Sequence, residues 1–438
     1  MLGIPHPYLT PSLPGIGGVS KSRPEDFVVE EVPLYTPCGR GEHTYFGVEK
    51  IDLSTPEAIE RLRRALDVPS KEIGYAGLKD RKGITRQTFS IAGVPPEKVL
   101  ELSLPQIKIT WATLHGNKLR VGHLKGNRFE IVVRSVLPDS TPRIQAILDE
   151  IGRRGLPNYF GPQRFGNRGD AHWIGRDLLR RDDRAAMRRI LGHPSTTEHN
   201  PNVVEAREAF MAGDLARARE VFPPSYREER KVLDYMLQAG ENWSGARRRL
   251  SETSRKLYFT AYQSYLFNVV LCDRLRIAGD LGRVLPGDLA FLHRNGAVFL
   301  VEDPAAEELR AAAFEISPSG PIFGMKMPRP GGPQAEIERE VLEREGMSPS
   351  EFHQLLPKLH LEGGRRPLRV RVEDVEWRLD GADLHLRFFL PKGSYATTLL
   401  RELMKNDDVP SAFYEGGEEE KHRLWRPEST SPESCRGT

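Results

Sequence analysis

The chain has 438 residues, 38% hydrophobic and 29% charged, with a net charge of +3. That length exceeds one ordinary core, so two domains are expected, and the composition is that of a globular protein. No apolar stretch is long enough to span a bilayer, and Met1 to Gly18, rich in Pro and Gly, lacks the basic-then-apolar pattern of a secretory signal, which implies a cytoplasmic protein without a membrane partner. In chain order, DFVVEEV (26–32) reads as a strand, and Ser54-Thr55-Pro56-Glu57 as a helix start: a hydroxyl caps free amides, Pro fits the first turn, and Glu57 suits the positive end. That helix is predicted to run to about Leu66, before Pro69. Residues 74–83 (GYAGLKDRKG) form a strand end and a Gly-bounded charged loop, followed by a strand at Arg86–Ala92. Residues 118–135 read as two strands flanking a tight Lys125-Gly126-Asn127 connection. Helical patterning prevails after about Gly175, and its clearest helix is 253–277, where Tyr258, Tyr262, Tyr265, Leu266 and Val269 form an apolar stripe. Residues 318–333 are too rich in Pro and Gly for regular structure. Strand-like alternation returns at Leu368, with an Asp380-Gly381 hairpin turn, and 395–405 reads as a helix. From about Gly416 the chain is polar, charged and predicted to be disordered.

The sheet-rich, helix-rich, sheet-rich order implies a split mixed α/β (α+β) domain, residues 1–154 and 368–415, interrupted by an inserted domain, residues 155–367. Insertion at a surface loop is the tolerated route to such an arrangement.

Chemistry-bearing signals are individually modest. Cys38, Cys272 and Cys435 are odd in number and far apart, which argues against disulfides and zinc. His353 and His360, seven apart on an expected helix, have no third ligand in view. No dinucleotide fingerprint, P-loop, GxSxG or HExxH pattern occurs. Asp80 stands among Lys79, Arg81 and Lys82, and flanking cations favour an ionised carboxylate fit for nucleophile or base work; an aspartate in such a turn also commonly just bonds its own backbone. NYFGPQRFGNRG (158–169) interleaves aromatics with Arg164 and Arg168, a combination suited to stacked bases and phosphates, or to a loop anchored by its rings. Basic clusters at Lys79–Arg86, Arg164–Arg189, Arg247–Lys256 and Arg365–Arg371 suit a polyanion, or are solvated faces laced with acids. Asn127 has a donor and an acceptor for a base edge, and Ser394-Tyr395 sits at a strand–turn–helix corner.

In their order these segments resemble TruD-type tRNA pseudouridine synthases. The resemblance rests on KSRPEDFVVEE (21–31), GYAGLKDRKGITRQ (74–87), LKGNRFEIVVR (124–134) and NYFGPQRFG (158–166), with AYQSYLFN (261–268) and FFLPKGSYATTLLREL (388–403) adding to it. It implies a pseudouridine-synthase catalytic domain with a bent antiparallel sheet, an inserted TruD-specific domain, and RNA bound between them. The catalytic aspartate falls on Asp80, and substrate contacts on Phe27, Asn127, Tyr395 and Phe129. Lys21 and Lys79 are basic residues lining the site, and Arg164 and Arg168 would bind phosphate. The implied substrate is tRNA, usually at uridine 13, with no cofactor, no metal and no obligate protein partner. Two departures are visible: bacterial members often carry Phe where Tyr395 stands, and the insertion is longer than in short bacterial members, which leaves the RNA target open. Two other classes compete with this reading. One is an RNA-binding protein without catalysis. The other is a glycosidase, which normally needs a second carboxylate; Glu30 and Glu31 are the motif-linked acids, and nothing in the sequence sets them opposite Asp80.

Overall fold

The computed structural model describes residues 6–195, 198–348 and 361–406. His353, His360, Cys435 and the polar tail from Gly416 lie outside the described residues. The first strands are β1 (Val19–Ser20), β2 (Phe27–Pro33), β3 (His43–Ile51), β4 (Gly74–Tyr75), β5 (Ile84–Ala92), β6 (Ile107–His115) and β7 (Leu124–Arg134). After β8 (Leu156–Pro157) the chain turns helical, with a small sheet of β9 (Leu289–Leu292), β10 (Val298–Leu300), β11 (Ile316–Ile322) and β12 (Gly364–Pro367). It returns through β13 (Arg369–Val370), β14 (Glu373–Asp380) and β15 (Asp383–Pro391).

The main sheet runs β14-β15-β7-β2-β5-β3-β6, with β1 on β7 and β4 on β5. Its pairings are antiparallel except for the parallel β2–β5 pair. Residues from both ends of the chain therefore meet at its centre. On β2, Phe27, Val29 and Glu31 lie opposite Ile131, Phe129 and Asn127 of β7. On β15, Leu386, Phe388 and Leu390 lie opposite the same three residues. Side chains alternate faces along a strand, so these three registers share one face.

That face packs on the helices Ser140–Arg154 and Ala396–Met404 in one hydrophobic cluster. The far end of the sheet has its own core beneath the helix Thr55–Leu66, which Ser54 caps: the Glu57 amide donates to Ser54 Oγ at 3.4 Å, and Glu57 Oε2 accepts from the Ser54 amide at 2.9 Å. A third cluster is built from helices between Ala171 and Arg344. The helix Glu252–Ala278 joins two of these cores. Tyr262, Tyr265 and Leu266 lie in the helical cluster, Phe267, Leu271 and Leu275 in the sheet cluster.

Three expectations need correction. Lys125-Gly126-Asn127 is not a turn but the start of the unbroken strand β7. Gly126 is there because a side chain would strike the Leu390 carbonyl and the Phe389 ring of the neighbouring strand. Residues 318–322 are strand despite Pro318 and Pro321: proline lacks a donor but keeps its carbonyl, and Pro318 O accepts from the Leu368 amide at 2.9 Å. The hairpin is present, but Asp380 pairs with Asp383, so Gly381 and Ala382 make the turn.

Candidate functional site

The loop between β4 and β5 carries Asp80, and side chains from outside the loop hold its backbone. Thr55 Oγ1 accepts from the Lys79 amide at 2.9 Å and donates to Gln87 at 3.0 Å. Lys50 Nζ donates to the Asp80 carbonyl at 3.2 Å and to the Leu53 carbonyl. Gly83 closes the loop with φ of +113°, its amide on Asp52 Oδ1 at 3.0 Å. Its α-carbon also lies too close to the Phe27 carbonyl for any side chain.

The carboxylate of Asp80 is 34% exposed. Lys21 Nζ donates to its Oδ2 at 3.0 Å, and Gln163 Nε2 to the same oxygen at 3.1 Å. Among the described residues Oδ1 takes no hydrogen bond. Lys21 also lies 3.9 Å above the centre of the Phe27 ring, a cation–π contact that orients it. Phe27 meets Phe129 edge-on at 6.2 Å, and Phe129 stacks on Phe388 at 5.1 Å, so the aromatics form a buried floor continuous with the core. Beside Phe129 on the same face, Asn127 Oδ1 is buried and has no hydrogen-bond partner. A buried carbonyl without a donor costs about 1–3 kcal/mol.

Tyr395 stands just before the helix Ala396–Met404 and lies edge-on to Phe160 at 6.0 Å. Burial pushes its phenol up; Arg366 and Arg164 pull the other way, and the nearby Asp80 charge adds to the rise. Arg164 donates to Ser264 Oγ at 3.0 Å, and Arg366 stacks over Phe160 at 4.1 Å while bonding Asn158. Lys21, Phe27, Phe129, Asp80, Tyr395 and Arg164 are thus linked by contact or by field, from segments nearly 400 residues apart.

Other expected site residues are placed differently. Lys79 does not line open space: its ammonium is 2.7 Å from Glu31, with side chains only 4% and 1% exposed. Arg168 is an internal brace rather than a phosphate contact. It bonds the carbonyls of Arg189 at 2.8 Å and His193 at 3.0 Å, and pairs with Asp170 at 2.9 Å. Of the cations flanking Asp80, Lys79 turns away to Glu31 and Arg81 to Glu57 at 3.7 Å; a counter-ion comes from distant Lys21. In the 365–371 cluster, Arg365 is buried against Glu338 and Arg369 against carbonyls of the core. Two neighbours of Asp80 were not foreseen. Gln163 sits in the quoted NYFGPQRFG motif but has no charge to draw notice, and Lys50 looks like an ordinary strand-surface lysine.

Among the described residues no cluster of His, Cys, Asp or Glu could hold a metal ion, and no helix is long and apolar enough to cross a membrane. The family model of tRNA pseudouridine synthase D (TruD) matches residues 3–403. A tRNA pseudouridine synthase D of Geotalea daltonii is 49% identical over 401 residues, spanning 92% of this chain and 100% of that one. One of Thermus thermophilus is 38% identical over 403 residues, spanning 91% and 92%. Among solved structures, a chain of Methanosarcina mazei assigned to TruD is similar with a TM-score of 0.76 at 28% identity, over 92% of this chain and 97% of that one. The expected mixed α+β fold is therefore found, and because the match runs through every segment that contributes to the Asp80 site, the chain belongs to the TruD family of tRNA pseudouridine synthases.

Proposed function

We propose that this enzyme isomerises uridine 13 of tRNA to pseudouridine with Asp80 as its nucleophile. One observation carries the reading: a partly exposed carboxylate whose Oδ2 is tied by Lys21 and Gln163 while Oδ1 takes no hydrogen bond among the described residues, at the edge of an aromatic floor. The isomerisation breaks N1–C1′, turns the base and forms C5–C1′, with no net redox change. In it Asp80 bonds covalently to the sugar as N1–C1′ breaks, or to the base before it breaks; the released electron pair stays on the uracil, C5 then bonds C1′, the Asp80 bond breaks again, and C5 gives up its proton while N1 gains one. Phe27, Phe129 and Tyr395 would offset the cost of extracting the uridine, since base–aromatic stacking is worth about 1–3 kcal/mol per base. The unpartnered Oδ1 of Asn127 suits a uracil N–H once the site admits the base. Arg164 would meet phosphate.

A glycosidase reading is less well supported. Glu31 is occupied by Lys79 and by the Thr88 amide at 3.2 Å, and Glu30 turns to Arg128, so neither motif-linked acid addresses Asp80. We further divide the chain into a catalytic part, residues 1–154 and 368–415, and an inserted part, residues 155–367; the separate hydrophobic clusters support this, with the helix Glu252–Ala278 shared. Its action is assigned to the cytoplasm, without an obligate protein partner.

The test is pseudouridine mapping at single-base resolution after incubation with unmodified tRNA. Asp80→Ala should lose at least about 10³-fold in rate, a barrier rise of about 4 kcal/mol, while still binding tRNA, because phosphate contacts dominate affinity. An equally active variant removes Asp80 from its role. Product at another uridine, or in another RNA, overturns the position and leaves the enzyme class intact.

A further inference from the structure

Asp80 is held on one oxygen by two donors of different kinds. Lys21 brings a compact charge whose three donors rotate freely, which by itself does not fix a carboxylate plane. Gln163 brings a neutral amide of fixed direction, from a loop the sequence separates from Asp80 by 83 positions. That loop is pinned on both sides of Gln163. On one side, the Phe160 amide donates to Asn268 Oδ1 at 2.8 Å, and its carbonyl accepts from Asn268 Nδ2 at 3.0 Å. On the other, Arg164 bonds Ser264, and Phe165 is buried at 1% exposure. Both Asn268 and Ser264 belong to the helix Glu252–Ala278. Gln163 itself is exposed, so its side chain contributes little to the core; its amide is carried rigidly to Asp80 by a braced loop.

We propose that Gln163 is a positioning residue that, with Lys21, commits Asp80 Oδ2 to hydrogen bonding and leaves Oδ1 as the attacking atom. The inference rests on Asp80 being the nucleophile. It also makes the braced loop, and through it the long helix, part of the machinery that aims the carboxylate.

The test compares full-length Gln163→Leu, Gln163→Glu and Asp80→Ala with the wild type, using unmodified tRNA under single-turnover conditions. Gln163→Leu should lower the rate at saturating tRNA about ten- to hundredfold, the effect of losing one hydrogen bond to a charged group, with the tRNA dissociation constant and melting temperature unchanged. Gln163→Glu sets a like charge beside Asp80, so the acid limb of its rate profile should move to higher pH; a loss of packing alone would not move that limb. A wild-type rate in Gln163→Leu overturns the proposal. So does weaker tRNA binding with an unchanged saturating rate, which would make Gln163 an RNA contact. If Asp80→Ala is active, the nucleophile assignment itself falls; if Asp80→Ala is dead and Gln163→Leu is wild type, only the role of Gln163 falls.

Discussion

At the scale of residues, the lysine behind Asp80 makes a prediction about pH. Lys50 has no exposed surface, and burial lowers its ammonium from the usual 10.5 to about 8; the Asp80 charge works against that fall and Lys79 with it. Above pH 8 the folded chain gives up this proton while the unfolded chain keeps it until near 10.5. The unfolded state then binds more protons, so this group adds stability as pH rises from about 8 toward 10.5, and that contribution is lost as pH falls back through 8. The melting-temperature difference between wild type and Lys50→Met should therefore shift in favour of the wild type over that window and stay flat below it. A difference that does not vary with pH would show that Lys50 keeps its charge. The sequence made Asp80 legible through its motif but not this neighbour, because a lysine in an alternating strand looks solvated. Lys79 misled in the opposite direction: it was read as a lining cation, and folding turns it inward to Glu31.

Among elements, the Glu31–Lys79 pair pins the Asp80 loop to β2. Breaking a buried pair by removing one partner leaves a charge without compensation and costs about 3–5 kcal/mol. Glu31→Gln should lose about that much in denaturant titration, and Glu31→Leu combined with Lys79→Met should lose clearly less. A double variant as unstable as the sum of its singles would mean the pair is not coupled. Local chemistry explains what was readable here. Ser54 and Glu57 announce a capped helix because the cap is made within four residues, and Asp380-Gly381 announces a hairpin for the same reason. The continuity of the central strand β7 through Lys125-Gly126-Asn127 is not legible, because Gly126 serves a contact with β15, more than 250 residues later, and no local signal separates that use from a turn. The basic stretch 365–371 was misread likewise: Arg365 and Arg369 meet acids and carbonyls that only tertiary structure brings near.

For the whole molecule, the helix Glu252–Ala278 fills two cores with its side chains, which predicts that they unfold as one unit. Trp173 and Trp243 pack against the helical cluster, and Trp377 against the sheet cluster. Single-tryptophan variants reporting from each should show the same unfolding midpoint; two separated transitions would show that the parts unfold independently. The order of strands has a further consequence, during synthesis. Arg134 at the end of β7 bonds Asp383 at the start of β15, 249 residues later. At about 5–20 residues per second, a ribosome needs roughly 12–50 s to cover that interval. Throughout it β7 has β2 on one side and an unfilled edge on the other, with Phe129 and Asn127 uncovered by the strand that will enclose them. The nascent chain thus exposes the future aromatic floor as a sticky sheet margin, and any factor that shields such margins would act on this protein before β15 emerges.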